Sequence, residues 1–124
     1  MTAALKYKPA QRRAEYEEVI AVVADHFNIS RADILSRNLM DYATWPRQIA
    51  MALCRETPGA STTSIGNTFD RHYSTVIFAT QKVGALDEFD KLKRDLAEIR
   101  LKIAALHSGE RAEGVNEIIT EPGT

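Results

Sequence analysis

The chain has 124 residues, 44% of them hydrophobic and 27% charged, the proportions of an ordinary globular domain. Its 16 Lys and Arg against 17 Asp and Glu give a formal net charge of −1, which excludes a uniformly basic nucleic-acid coat but not a local basic patch. The one cysteine, Cys54, excludes an internal disulfide, and no apolar run reaches the ~18 residues of a membrane span, so a cytoplasmic protein is expected.

Residues 1–9 read as an N-terminal arm, polar and basic, without the apolar stretch of a secretory leader. From Ala10 to Phe27, the residues Tyr16, Val19, Ile20, Val23 and Phe27 recur at spacings of three and four. They form the single stripe of an amphipathic helix, with Arg12, Arg13, Glu17 and Glu18 around its other side. Asn28 is a plausible stop, and Ser30 reads as the N-cap of a short helix that turns Ile34 and Leu35 inward. Residues 37–44 read as a loop. Pro46 is then expected in the first turn of the next helix, where its missing N–H costs nothing. That helix, residues 46–56, places Ile49, Ala50, Leu53 and Cys54 inward and sets Arg47, Met51 and Arg55 along another face, until Pro58-Gly59 ends it.

Ser61 can cap a short helix that runs through Phe69, and residues 72–74 open another that runs to Val83. Gly84 is expected at the C′ position of that helix, with Asp87 capping the next. Residues 87–107 read as an amphipathic C-terminal helix on which Phe89, Leu92, Leu96, Ile99, Ile103 and Leu106 alternate in spacings of three and four, an a/d heptad stripe. The stripe has two readings: it folds back on the domain, or it pairs with a second chain as a homodimer. Residues 108–124 read as an acidic disordered tail. From residue 107 onward, Glu110, Glu113, Glu117 and Glu121 oppose Arg111 alone, while residues 1–106 hold 15 positive against 13 negative charges, a core of +2. No segment alternates convincingly as a strand does, so the fold class is all-α.

Residues 61–83, STTSIGNTFDRHYSTVIFATQKV, have the layout of a helix-turn-helix. Ile65 and Phe69 face inward on the first helix, Gly66 permits a close approach, and Val76, Ile77 and Ala79 pack back from the second. The first turn of that second helix is polar: His72, Tyr73, Ser74 and Thr75. A helix entering the major groove presents such N-terminal side chains to base edges, and its terminal N–H groups can hold a phosphate. The same geometry also occurs in bundles with no nucleic-acid role, so the layout alone leaves DNA binding open.

Four segments narrow the choice: VADHFNISRADILSR (23–37), PRQIAMALCRE (46–56), SIGNTF (64–69) and STVIFATQKV (74–83). In order and spacing they resemble the C-terminal DNA-binding domain (domain IV) of the bacterial replication initiator DnaA, over about residues 19–83. The resemblance implies a Trp-repressor-like helical bundle of residues 10–86 that binds double-stranded DNA, followed by the long amphipathic helix. It implies that Arg71, His72, Tyr73, Ser74 and Thr75 approach the major groove, that Arg47 contacts the DNA backbone, and that Lys82 occupies a basic position further along. The departures are also specific. The family's basic loop before PRQ sends an arginine into the minor groove, whereas this chain has RNLMDYATW, with Arg37 as its basic residue and Asp41 opposing it. The family's Arg-Asp-His before Thr-Thr-Val becomes Arg71-His72-Tyr73 before Ser74-Thr75-Val76, after a turn one residue shorter. Each specific base contact is worth about 1–3 kcal/mol, so the chain is not expected to favour the family's standard site.

No G-x-x-x-x-G-K-[ST] loop occurs in the chain, and the segment is expected to be a free-standing reader without the family's ATPase. The reading is a sequence-specific DNA-binding transcriptional regulator, for instance of phage-like or gene-transfer-agent genes, located at the nucleoid and meeting partners such as the transcription machinery. The alternatives are a replication-control factor at origin-type sites and an adaptor that kept the fold but lost the DNA surface. Plainer roles stand beside each residue. Arg47 and Arg55 can be solvated charges, His72 and Tyr73 ordinary turn residues, Ser74 an N-cap, and Thr75 a packing residue. Trp45 reads as packing, His26 as a partner of the helix dipole, and Cys54 as a buried hydrophobe. With one Cys and scattered His, no catalytic, metal or cofactor site is expected.

Overall fold

A computed structural model describes the backbone of residues 9–123 and the side chains of residues 13–106. Among the described residues six helices follow in order: α1 (Pro9–Phe27), α2 (Arg31–Leu35), α3 (Asp41–Cys54), α4 (Thr62–Phe69), α5 (Tyr73–Leu86) and α6 (Asp90–Gly123). No strand occurs among them. Residues 1–8 of the expected arm, and the side chains of the acidic tail with His107, lie outside the described residues.

The stripe on α1 becomes the floor of the core: Tyr16, Val19, Ile20 and Val23 are buried, and Phe27 packs at its edge. Asn28 ends the helix in the left-handed region, φ 57. The N–H of Asn28 then donates to Asp25 C=O at 3.1 Å and that of Ile29 to Ala24 C=O at 3.0 Å, a Schellman closure that asparagine tolerates without glycine. Ser30 caps α2, accepting from Asp33 N–H at 3.0 Å. Exposed Arg31 returns to α1 with two bonds to the Glu17 carboxylate, 2.8 and 2.9 Å.

Several helix boundaries differ from the sequence expectation. Among them is the end of α6, whose backbone is helical to Gly123 where the helix was expected to stop at 107 and give way to a disordered tail. Helix α3 starts at Asp41, not at Pro46, so much of the stretch read as a loop is helical and the proline lies inside the helix. The start is set upstream by side chains: Asn38 N–H donates to Ser36 Oγ at 3.1 Å, and Met40 N–H to Asn38 Oδ1 at 2.8 Å. Pro46 withholds the bond that would reach Tyr42 C=O, on a half-exposed residue where water can take its place. Gly84 is likewise no C′ residue. Helix α5 continues through it to Leu86, Asp87 follows as the C-cap, and α6 begins only at Asp90. A Cβ at Gly84 would meet nothing within 4 Å, so the glycine there reflects neither close packing nor a left-handed turn.

Helix α3 packs against α1 on one side and α5 on the other, burying Ile49, Ala50, Met51, Leu53 and Cys54. Met51, expected on the arginine face, is thus core. Burial pushes the Cys54 thiol well above its ordinary range, which keeps it an inert hydrophobe. Helix α6 docks on α1 through Leu92, Leu96 and Ile99, all buried, with Ile103 at the margin. His26 Nε2 lies 2.9 Å from Asp95 Oδ1, and Arg100 makes two bonds to Glu56 at 3.1 and 2.7 Å, joining α6 to the rest. The heptad stripe therefore folds back through its middle, leaving its ends, Phe89 and Leu106, exposed. Substituting Leu96 would remove core packing.

Candidate nucleic-acid interface

The turn between α4 and α5 is built from three local devices. Ser61 and Ser64 form a reciprocal capping box at the start of α4, and Tyr16 Oη lies 2.6 Å from Ser64 Oγ, fixing the helix to α1. Gly66 faces the turn itself, where a Cβ would stand 2.5 Å from the Arg71 carbonyl oxygen. The third is Asp70, left-handed at φ 57. With it, Asp70 N–H reaches Asn67 C=O at 3.2 Å and Arg71 N–H reaches Gly66 C=O at 2.8 Å. One αL residue thus closes α4, and α5 begins three residues later at Tyr73.

His72 is the N-cap of α5. Its Nδ1 accepts from Ser74 N–H at 3.2 Å, and Ser74 Oγ lies 2.9 Å away. The capping role assigned in the sequence reading to Ser74 belongs to His72, and Ser74 sits within the first turn. The Tyr73 ring lies against that of His72, centroids 4.3 Å apart. His72, Tyr73, Ser74 and Thr75 are all exposed, while Val76, Ala79 and Val83 anchor the opposite face in the core. Ile77, expected to pack back, does not: it is 38% exposed and its neighbour Phe78 56%. The signal was in the helical wheel, because Val76, Ala79 and Val83 define an inward direction that puts positions 77 and 78 outside.

The basic residues separate into two kinds. Arg47 is 3% exposed, and its guanidinium donates to Ile34 C=O at 2.5 Å and to Asp33 C=O at 3.0 Å. It closes the C-terminal end of α2 from within and presents no surface for a phosphate in this arrangement. Arg71 is half-buried and donates to Phe69 C=O at 3.0 Å and Ser36 C=O at 2.8 Å, stitching the turn to the segment after α2. Arg37 and Lys82 are exposed. Arg37 reaches Asp70 Oδ2 at 2.9 Å, and Lys82 Nζ lies 5.5 Å above the centre of the Trp45 ring, which packs on the core. Arg55 is also exposed, with one bond to Ala60 C=O at 3.3 Å.

Arg37, Arg47 and Arg71 sit close enough to affect one another. Burial, then the charges of Arg71 and Arg37, hold Arg47 below its usual value. Arg71 is lowered by burial and by Arg37, against Asp70, which raises it. Arg37, Gly66, Asn67, Asp70, Arg71, His72 and Thr75 line one shallow polar hollow beneath the turn. The hollow thus holds two guanidiniums and one carboxylate, that of Asp70, which pairs with Arg37. No group of His, Cys, Asp and Glu suited to a metal ion occurs among the described residues, and no described helix is long and apolar enough to cross a membrane.

Comparison with known proteins agrees with this architecture. The family model for the bacterial dnaA protein helix-turn-helix matches residues 16–83. The chromosomal replication initiator protein DnaA of Treponema pallidum (strain Nichols) is 46% identical over 68 residues, covering 54% of this chain and 15% of that protein. Its counterpart in Xanthobacter autotrophicus is 34% identical over 94 residues, 75% of this chain and 19% of the relative. That of Thermus thermophilus is 37% identical over 86 residues, 68% and 20% respectively. The matched segments thus amount to a fifth or less of the length of these relatives.

Proposed function

The chain belongs to the bacterial DnaA helix-turn-helix family, a domain type that supports DNA binding, and from that premise we propose that it is a sequence-specific double-stranded-DNA-binding protein acting in transcription. The observation that carries the DNA reading is the solvent-exposed polar turn His72–Thr75, standing directly beside the Arg37 and Arg71 guanidiniums over one hollow. On this reading Tyr73, Ser74 and Thr75 reach base edges in the major groove, while His72 shapes the helix start and shares in the contact. Arg37, Arg71 through its free N–H groups, and Lys82 face phosphates. Arg47 acts from inside, holding α2 and the following segment in place.

The transcriptional role is the finer part of the proposal. These residues contain no nucleotide-cradling loop, so what they bring to a duplex is occupancy of a site, the action of a regulator at a promoter, phage-like genes among the candidates. His72 and Tyr73 stand where the family places its base-reading Asp and His, which supports a preferred site different from that of the replication initiators.

Genome-wide occupancy mapping of the tagged full chain tests both parts, with gel shifts on the enriched duplexes across salt concentrations. DNA binding predicts enriched sites and a log–log salt slope near −0.9 for each neutralised phosphate. Peaks at promoters sustain the transcriptional role, and peaks confined to origins replace it with replication control. The absence of any enriched site, together with no salt-dependent shift, overturns the DNA reading.

A further inference from the structure

We propose that the outward face of α5 beyond its first turn, carried by Ile77 and Phe78, reads thymine C5-methyl groups in the major groove and so selects A·T pairs beside those met by His72–Thr75. The inference rests on the duplex-binding reading above and adds to it a base class and two residues.

The geometry begins with the helical wheel. Val76, Ala79 and Val83 fix the inward direction of α5, and at 100° per residue the line facing away from the core runs through Ser74 and Gln81, with Ile77 and Phe78 on either side of it. Ser74 and Gln81 are exposed, and the two apolar side chains between them are 38% and 56% exposed. Neither Ile77 nor Phe78 belongs to the core cluster or its margin. Large apolar groups in the middle of a solvent face gain stability only when something covers them.

What covers them is constrained by the flanks. The N-terminal end of the strip adjoins the hollow that holds Arg37 and Arg71, and its C-terminal end carries exposed Lys82. An occupant that brings negative charge to those ends and apolar groups between them matches the strip. A hydrophobic protein groove would instead strip water from Lys82, which rests on the Trp45 ring, and from the exposed Arg37–Asp70 pair. A duplex supplies both features at once, because the walls of the major groove are phosphates and the one apolar group on its floor is the thymine methyl. The strip also continues the surface on which Ser74 lies, one turn from both apolar residues, so a helix docked by its first turn brings Ile77 and Phe78 to the adjoining base pairs.

The test uses the full chain and duplexes enriched by it from a random-sequence pool. Thymines in the protected stretch are replaced singly by deoxyuracil, which removes only the methyl group. The expected result is an affinity loss of about fourfold at one or two thymines, the worth of one buried carbon. In Phe78→Ala or Ile77→Ala that loss should shrink towards onefold at the matching thymine. Methyl sensitivity is a ratio measured on a single variant, so any loss of folded protein cancels from it. The proposal is overturned if the enriched duplexes lack thymine in the protected stretch, or if uracil at every thymine leaves the affinity unchanged. It is overturned equally if both alanine variants keep the full methyl sensitivity, as they would if these residues served a protein partner. Failure to enrich any duplex at low salt overturns instead the DNA-binding reading beneath it.

Discussion

The segment joining α2 to α3 and the first turn of α5 share one hollow, yet they use their polar side chains in opposite directions. Around the first, guanidiniums turn inward: Arg47 and Arg71 donate to the carbonyls of Asp33, Ile34, Ser36 and Phe69. On the second, His72, Tyr73, Ser74 and Thr75 are left in solvent, with hydrogen bonds that shape the helix end and little else. Exposed Arg37 apart, the first region frames and the second is free to touch. The contrast shows that a basic residue in a DNA-reading motif need not be a basic surface, and that the net charge of the core overstates the charge a phosphate would meet.

Four substitutions probe this division, in order of expected effect. Gly66→Ala places a Cβ against the Arg71 carbonyl oxygen, a backbone atom that cannot swing aside, and should cost about 3 kcal/mol in a urea titration, with loss of duplex binding. A variant as stable as the parent would show that the turn yields. Arg47→Ala should cost about 2 kcal/mol by leaving the Ile34 carbonyl without its donor. Its log–log salt slope should stay that of the parent. Arg37→Ala should do the reverse: a stability change under about 0.5 kcal/mol and a slope smaller by about 1. If Arg47→Ala changes the slope and Arg37→Ala the stability, the division between framing and contact is wrong.

Asp70→Asn sharpens the contrast from the other side. Asparagine accepts the left-handed backbone at this position, so the turn survives while Arg37 loses its partner. Affinity for any duplex should rise about threefold, read by fluorescence anisotropy at fixed salt. The smallest effect lies outside both regions. Burial works to raise the Asp95 carboxyl, but hydrogen bonds from His26 and Lys91 and the charges behind them hold it below the ordinary carboxylate value. A depressed folded-state value stabilises above the unfolded pKa of about 3.9 and is lost as pH falls through the folded one. Asp95→Asn should therefore lower the urea midpoint slightly at neutral pH and flatten its decline in acid, with duplex affinity unchanged.

Much of this was legible in the residues. The α1 stripe, the Ser30 and Ser61 caps, the stop at Asn28 and the helix-turn-helix follow from periodicity and local hydrogen-bonding chemistry, which act over a few residues. The start of α3 did not follow, because proline's preference for a first turn was outweighed by a cap chain through Ser36, Asn38 and Met40 that only the folded backbone reveals. The exposed turn of α5 was legible for the same local reason as the caps. The fate of Arg47 was not, because whether a guanidinium points to solvent or to a carbonyl thirteen residues away is decided by packing between α2 and α3. Ile77 was misplaced because its hydrophobicity outweighed its position on the wheel, and the apolar strip it forms with Phe78 was missed with it.

The exposed Arg37–Asp70 pair has a kinetic consequence. Affinity for random duplex is set by how many phosphates a protein neutralises, and that affinity fixes how long each chance encounter lasts. A cation held by its own carboxylate at the rim of the hollow contributes to a phosphate contact only after that bond is exchanged. Encounters with the wrong sequence should then be brief, leaving the protein free to sample many sites between captures. If the chain recognises a specific sequence as proposed, the acidic residue that weakens its grip on DNA in general would shorten its search for that sequence.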